Sequence, residues 1–346
     1  MRILKYKYNS GYQVKVKNLL RSYLLRKLYA PAVTLFSIIL LCSGCGDEFG
    51  ILLDDPHTDP GIYWTENNKT INYVKKDKTG KKTLLTGSGI PLDIEIYPPG
   101  RKIYWTEYTG SAFQIWNAST DGSSKTLFYQ PTGSDFGPTA IAVDPLTGLV
   151  YWNEYSVSSG HNDVWRSPAY APEKWVKTIT PFYTLDMCID TINNRIYITA
   201  NNYWDIYTTS SIFFGSGNSG VICNGNLIDG SYSLPVNGTG PTDPSISLRG
   251  IAADGTAGYV YYANNDSSYN QTIRRALSAN LADSEEWISA GSYAIRKIAL
   301  DLKERKIYWT SGSGTSIWRA DIDTANSNIE LFLSLDSIPT GIAIVP

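Results

Sequence analysis

The six residues KIYWTE at positions 102–107 read as one short β-strand ending on an acid, but near copies recur along the chain. Aligned on the tyrosine, they are IYWTE at Tyr63, IYWTE at Tyr104, VYWNE at Tyr151, IYITA at Tyr197, VYYAN at Tyr261 and IYWTS at Tyr308. The intervals are 41, 47, 46, 64 and 47 residues. Short strands at such a period are the sequence signature of propeller blades.

A second element precedes five of the six tyrosines. The segments IEIY, IAVD, MCID, IAAD and IALD end at Tyr97, Asp144, Asp190, Asp254 and Asp301, each seven residues before its tyrosine. The connection is therefore a tight hairpin of constant length, and an Asp at its start can bond backbone N–H groups of the turn. Tyr63 lacks such a strand, whereas the C-terminal PTGIAIVP is a strand with nothing after it. A ring closed by residues 341–345 pairing innermost in the blade begun by GIYWTE accounts for both ends, and closure removes sheet edges. Third strands are expected at TINYVKK, QIWNAST, DVWRSPA, DIYTTSS, TIRRALS and SIWRADI, followed by fourth strands such as KTLLTG, KTLFYQ, KTITPF, EEWISA and ELFLSL. The expected fold is all-β, a six-bladed β-propeller of four-stranded blades over residues 61–346.

Composition agrees. Of 346 residues 42% are hydrophobic, 13% aromatic and only 18% charged, enough apolar material for a large β core. Residues 1–44 differ: eight Lys and Arg and no acid precede the apolar run APAVTLFSIILL and then CSGCGDE. The run is too short for a bilayer-spanning helix, which needs roughly 20 residues, and has the layout of a secretory signal. It resembles a bacterial lipoprotein signal, which implies lipidation of Cys45, for instance with palmitate. Cys42 and Leu41 depart from that pattern by one step. Residues 45–60 then form a short acidic tether. Removing the eight bases of residues 1–44 leaves 22 basic against 32 acidic residues. An acidic body argues against nucleic acid and anionic membrane surfaces as partners. The expected location is the cell envelope, lipid-anchored, at the outer membrane or surface.

The repeats as a set resemble the low-density-lipoprotein-receptor class B, or YWTD, family. The carrying residues are Tyr-Trp-Thr-Glu at 63–66 and 104–107, GLVYWNE after IAVDP, SIWRADID after IYWTS, and the final PTGIAI. The fourth motif position is Glu, Ala, Asn or Ser, never the family's Asp, and the fourth and fifth copies lack the Trp. The resemblance implies a protein-binding module and no catalytic residues.

The lower hairpin is constant, while the spacing from each tyrosine to the Ile or Val of the third strand is 8, 11, 13, 9, 12 and 9 residues. Variation of this kind places recognition on the upper face. The ligand-binding candidates are Trp204, Tyr203, Asn201, Tyr108, Tyr155 and Asn265; Trp204, in NNYWDI, lies outside the repeat pattern that assigns seven of the ten tryptophans to packing. Glu66, Glu107 and Glu154 recur with the motif and are expected to be structural. The inner strands place Asp93, Glu95, Asp186, Arg249 and Lys297 at a central channel, with paired surface charges involving Lys297, Arg249 and Arg296 favoured over a cation. The body's one histidine, His161, is poor support for a catalytic triad, and zinc or nucleotide motifs are missing. Cys188 and Cys223, the only body cysteines, are expected about three strand spacings apart, too far for a disulfide, and so free. The segment FFGSGNSGVICNGNLIDGSYSLPVNGTGPTDPS reads as a long loop.

The leading expectation is a monomeric, lipid-anchored, non-enzymatic module binding a protein or glycan, without a cofactor. Two alternatives stay open: a calcium-dependent hydrolase or lactonase with its ion held by Asp93, Glu95 and Asp186, or a structural envelope component.

Overall fold

A computed structural model describes residues 60–132, 137–156, 161–167, 173–179, 183–201, 220–226, 232–233, 247–265, 271–291 and 294–345. Residues 1–59, on which the expected signal, the lipidation candidate Cys45 and most of the expected tether fall, lie outside them, as do Tyr203 and Trp204. The described chain is all-β, with sheets in a β-propeller-like arrangement.

Six four-stranded antiparallel sheets are formed. From the innermost strand outward, the first holds Pro339–Val345, Gly61–Glu66, Thr70–Val74 and Lys82–Thr86. The second holds Ile90–Tyr97, Lys102–Tyr108, Phe113–Ser119 and Thr126–Tyr129; the third Ile141–Val143, Val150–Ser156, His161–Ser167 and Glu173–Ile179. The fourth holds Tyr183–Asp190, Arg195–Asn201, Gly220–Asn226 and Tyr232–Ser233; the fifth Ser247–Asp254, Tyr259–Asn265, Gln271–Leu277 and Asn280–Gly291. The sixth holds Ile295–Asp301, Lys306–Ser311, Ser316–Asp321 and Glu330–Ser334. In the first sheet the C-terminal strand pairs with the first described one, Tyr63 opposite Ala343 and Ile62 opposite Ile344.

The Tyr-Trp dipeptide explains the packing. Adjacent strand residues point to opposite faces, so the tyrosine of one sheet and the residue after the tyrosine of the next meet in one layer. Tyr63 clusters with Trp105 and Tyr104 with Trp152. Tyr151 clusters with Ile198, Tyr197 with Tyr262 and Tyr261 with Trp309. Tyr308 clusters with Trp64, across the junction of the sixth and first sheets. The six tyrosines are at most 6% exposed. Where the Trp is missing, Ile198 and Tyr262 fill the same place. Burying 150–250 Å² of an indole contributes about 4–6 kcal/mol, so these layers dominate the core.

The constant hairpin has a local cause. Its fifth residue adopts a left-handed conformation in every copy: Arg101 (φ 50°), Gly148 (71°), Asn194 (54°), Gly258 (76°) and Arg305 (54°). In four copies the starting aspartate bonds the turn's N–H groups, for example Asp190 Oδ1 to Ile192 N and Asn193 N, both 3.0 Å. Tyr97 replaces the aspartate in the second sheet, where Pro98–Gly100 makes a 3₁₀ turn instead. The hairpins also bridge sheets. Asp254 pairs with Arg305 at 2.8 Å, and Asp301 pairs with Lys76 of the first sheet.

The fourth sheet corrects the expected strand order. Its third strand is Gly220–Asn226, not DIYTTSS, which lies outside the described residues, and Tyr232–Ser233 is its fourth. Part of the segment read as a loop is therefore sheet. In register, Ile222 opposes Thr199 as Ile115 opposes Thr106, so the spacing is 25 residues from Tyr197 to Ile222, not 9. The β-branched pair Val221-Ile222 suits a strand, while DIY imitates QIW and SIW only locally. Cys223 consequently lies in the third strand, two spacings from Cys188 rather than three, with Cys188 opposite Tyr197 and Cys223 opposite the next residue, Ile198. Two spacings are about 9.5 Å, still beyond the roughly 7 Å limit for a disulfide, and Cys188 is a free thiol.

Candidate functional site

The innermost strands share a distortion. Pairing with the second strand shifts register between Pro91 and Asp93, between Thr184 and Asp186, between Leu248 and Ile251, and between Ile295 and Ile298. With the matching shift between Pro339 and Gly341 of the first sheet, a bulge at one level in five sheets re-aims the side chain there. The equivalent residues around the axis are Asp93, Ala140, Asp186, Gly250, Lys297 and Gly341, so charged and small residues alternate. The small ones permit close approach: a Cβ on Gly250 would stand 2.7 Å from Ile298 N, and one on Gly341 2.9 Å from Ile94 N.

The three charges converge. Lys297 Nζ donates to Asp93 Oδ2 at 2.7 Å and to Asp186 Oδ1. Each aspartate also joins two sheets. Asp93 accepts from its own neighbour Ile94 N at 2.9 Å and from Ile141 N of the third sheet at 3.0 Å. Asp186 accepts from Met187 N at 2.8 Å and from Ile251 N of the fifth sheet at 2.9 Å. All three side chains are at most 7% exposed. The sequence suggested surface pairing; the structure buries it at the axis. Burial opposes charge on Lys297, but Asp186 and Asp93 outweigh it and raise its pKa, so the ammonium is held protonated. One ammonium does not neutralise every carboxyl near it. Burial pushes Asp186 up to about 6 against the pull of Lys297, and burial followed by the charges of Asp93 and Asp186 raises Glu95 well above the carboxylate range.

Glu95 lies two residues along from Asp93 and stays partly open to the channel, as does Cys188 at the matching place in the fourth sheet. Arg249 and Arg296 each precede the residue at the axial level and are half-buried. Burial, then Arg249, works against charge on Arg296, while Asp93 supports it. A calcium ion coordinated by Asp93 and Asp186 would have to displace Lys297 Nζ, and among the described residues no group of three His, Cys, Asp or Glu side chains is placed to hold a metal.

The motif acids serve the tryptophans. A residue two along a strand shares its face, and a buried indole N–H needs an acceptor. Trp64 Nε1 donates to Glu66 at 2.7 Å, Trp105 to Glu107 at 3.0 Å and Trp152 to Glu154 at 2.8 Å. Glu107 also accepts from Ser88 Oγ at 2.5 Å and Gly89 N at 2.7 Å. In the fourth and fifth sheets the Trp and the acid are lost together.

Of the upper-face candidates, Tyr108 is half-buried, stacks on Phe113 at 4.6 Å between ring centres, and donates its hydroxyl to Gly110 O at 2.8 Å. Tyr155 is half-buried near the end of Val150–Ser156, and Asn201 ends Arg195–Asn201. Asn265 is a sheet-to-sheet clasp: its Nδ2 donates to Ile295 O at 2.7 Å and its Oδ1 accepts from Ile295 N at 3.0 Å. Its buried carboxamide is thus already engaged, contrary to a ligand-contacting role. Outside these candidates, the turn at residues 75–82 gathers five lysines in eight residues of an otherwise acidic body, a cluster visible in the sequence.

No family model matches the chain. A stretch of 135 residues, 38% of this chain, is 29% identical to low-density lipoprotein receptor-related protein 5 of Mus musculus, a weak homology to a YWTD-repeat protein. The match takes in 8% of that receptor, so the chain spans only a small part of its length. Among solved structures, one chain of a nidogen/laminin complex is similar at TM-score 0.60 and 13% identity, over 83% of this chain and 98% of that one. TolB from Acinetobacter baumannii is similar at TM-score 0.61 and 11% identity, over 83% and 67%. The fold is a β-propeller, like those proteins.

Proposed function

We propose that the chain is a closed six-bladed β-propeller, held outside the cytoplasm by a lipidated Cys45, which binds a protein partner through its upper-face loops. Closure is supported by the terminal strand pairing and by the Tyr308–Trp64 layer, which repeats at the sixth-to-first junction the contact made at the other five. The neighbours of the innermost strands follow one another in the same cycle, Pro339–Val345 lying against both Ile90–Tyr97 and Ile295–Asp301.

The observation that carries the binding role is the division of labour between the faces. The lower hairpins share one length and a left-handed fifth residue, whereas the upper connections differ and carry the half-buried Tyr108 and Phe113. The axial acids are engaged by Lys297 and backbone N–H groups, which favours binding over metal-assisted hydrolysis. A nidogen propeller studied in complex with laminin supports a protein partner by analogy only.

A photo-crosslinking residue at position 108 and another at position 303, on the lower hairpin, test this in intact cells. One discrete adduct from position 108, lost on Phe113→Ala and missing from position 303, is expected. Equal adducts from both faces would refute upper-face recognition.

A further inference from the structure

We propose that the turn at residues 75–82 is a docking surface for anionic lipid headgroups, so that the hairpin face rests on the membrane and the upper rim points away from it. This rests on the reading of Cys45 as a lipid anchor. Residues 45–346 hold 22 basic and 32 acidic residues, yet residues 75–82 contain five lysines and a single acid, Asp77. Net charge thus hides a local reversal.

The turn is well formed. Asp77 Oδ1 accepts from Thr79 N at 2.9 Å and Thr79 Oγ1 at 2.6 Å, and Lys75 N donates to Thr79 O at 3.0 Å. Lys78 (φ 69°) and Gly80 (φ 66°) complete it in left-handed conformations. Lys76 turns inward to Asp301 and lies 3.5 Å from Glu304, whereas Lys75, Lys78, Lys81 and Lys82 are exposed. Beside the turn stand Glu304, next to Lys76, and Glu330, which interacts with Lys78 and is held by Arg319, while Lys81 shares a cleft with Glu66 and Asp336.

Position relative to the anchor selects lipid as the occupant. Val74, just before the turn, pairs with Ile62, and Tyr73 donates its hydroxyl to Pro60 O at 3.1 Å. The first described residue therefore sits beside the lysines. A Cβ on Gly61 would come within 2.5 Å of the Tyr73 ring, so a larger residue would push the entering chain from this place. Cys45 is 15 residues before Pro60, and a chain of that length reaches at most about 50 Å. The point where the chain enters the fold and the basic turn thus share one face, the geometry in which lysines near an anionic bilayer add roughly fivefold each to association. Lys82 lies over the Tyr73 ring, and the other three exposed lysines give about 10²-fold, within a screening length of about 10 Å at 0.1 M salt.

The test uses the full chain, purified in detergent as expressed and mixed into vesicles of phosphatidylcholine alone or with phosphatidylglycerol. Flotation is measured together with acetylation of each lysine by mass spectrometry, Lys69 of the opposite face serving as control. Flotation with both vesicles, and protection of Lys75, Lys78 and Lys81 several-fold greater with phosphatidylglycerol and abolished by 0.5 M salt, supports both readings. Flotation with both but no selective protection overturns the docking surface and leaves the anchor. Salt-sensitive flotation with anionic vesicles alone, with those lysines protected, overturns the anchor and leaves the surface; flotation with neither overturns both. The variant Lys75→Gln, Lys78→Asn, Lys81→Gln, which keeps Lys76, is expected to melt like the parent and to lose the effect of phosphatidylglycerol.

Discussion

Replacing Lys297 with Met puts the axial cluster to its most direct test. Methionine keeps the length and apolar stem of lysine, but removes the charge between Asp93 and Asp186, whose side chains are 4% and 6% exposed. Breaking a buried pair by deleting one partner costs about 3–5 kcal/mol, because the other charge stays buried. At roughly 2–4 °C per kcal/mol for a domain of this class, the melting temperature should fall by about 6–20 °C at pH 7.5. The sign with pH follows from the carboxyls. The folded pKa of Asp186, already about 6, rises further without the ammonium, so the variant keeps its stability in acid and loses it as the pH rises through that value. The gap from the parent should therefore be at least halved at pH 5. Urea unfolding followed by tryptophan fluorescence at both pH values measures it. A loss below about 1 kcal/mol at pH 7.5, or one unchanged at pH 5, would refute a dry axial ion triad.

Three further outcomes are expected. Glu95→Gln should match the parent in acid and exceed it in stability at pH 8: a carboxyl raised by burial and by Asp93 and Asp186 gives stability below its ordinary 4.5 and loses it as the pH passes the raised value, whereas Gln does not titrate; superimposable stability–pH curves would place Glu95 in bulk-like water. Glu107→Ala should cost about 2–4 kcal/mol by chemical denaturation, since the indole of Trp105 and the N–H of Gly89 lose their acceptor, and adding Trp105→Phe should show coupling in a double-mutant cycle; strict additivity would deny the Trp–Glu pairing. Removing residues 339–346 should abolish cooperative unfolding, because Gly61–Glu66 loses its inner partner and two inter-sheet layers lose Ile342 and Ala343; an unchanged melting curve would argue against closure.

The channel residues were readable from the inner-strand spacing, but their relation to one another was not. Asp93, Asp186 and Lys297 are separated by 93 and 111 positions, and nothing local indicates that one lysine bridges two acids. The bulge decides it, by turning one side chain per charged strand toward the axis. Asn265 shows the converse: an amide at a strand end suits a ligand contact, and only the position of the next sheet makes it a clasp. The fourth sheet misled for a third reason. DIY at 205–207 carries the right pattern, but strand choice depends on which segment can hold register with Arg195–Asn201.

By itself the sequence determined the repeating unit: period-two alternation sends Tyr and Trp to opposite faces, and a seven-residue interval, opened by an aspartate in four of five copies, makes one hairpin each time. These are local rules acting over a few residues, so they survive without a structure. Only the tertiary arrangement decided which tyrosine meets which tryptophan, that Lys297 joins Asp93 to Asp186, and that the lysine turn stands beside the entering chain, because each depends on where sheets distant in sequence are brought together.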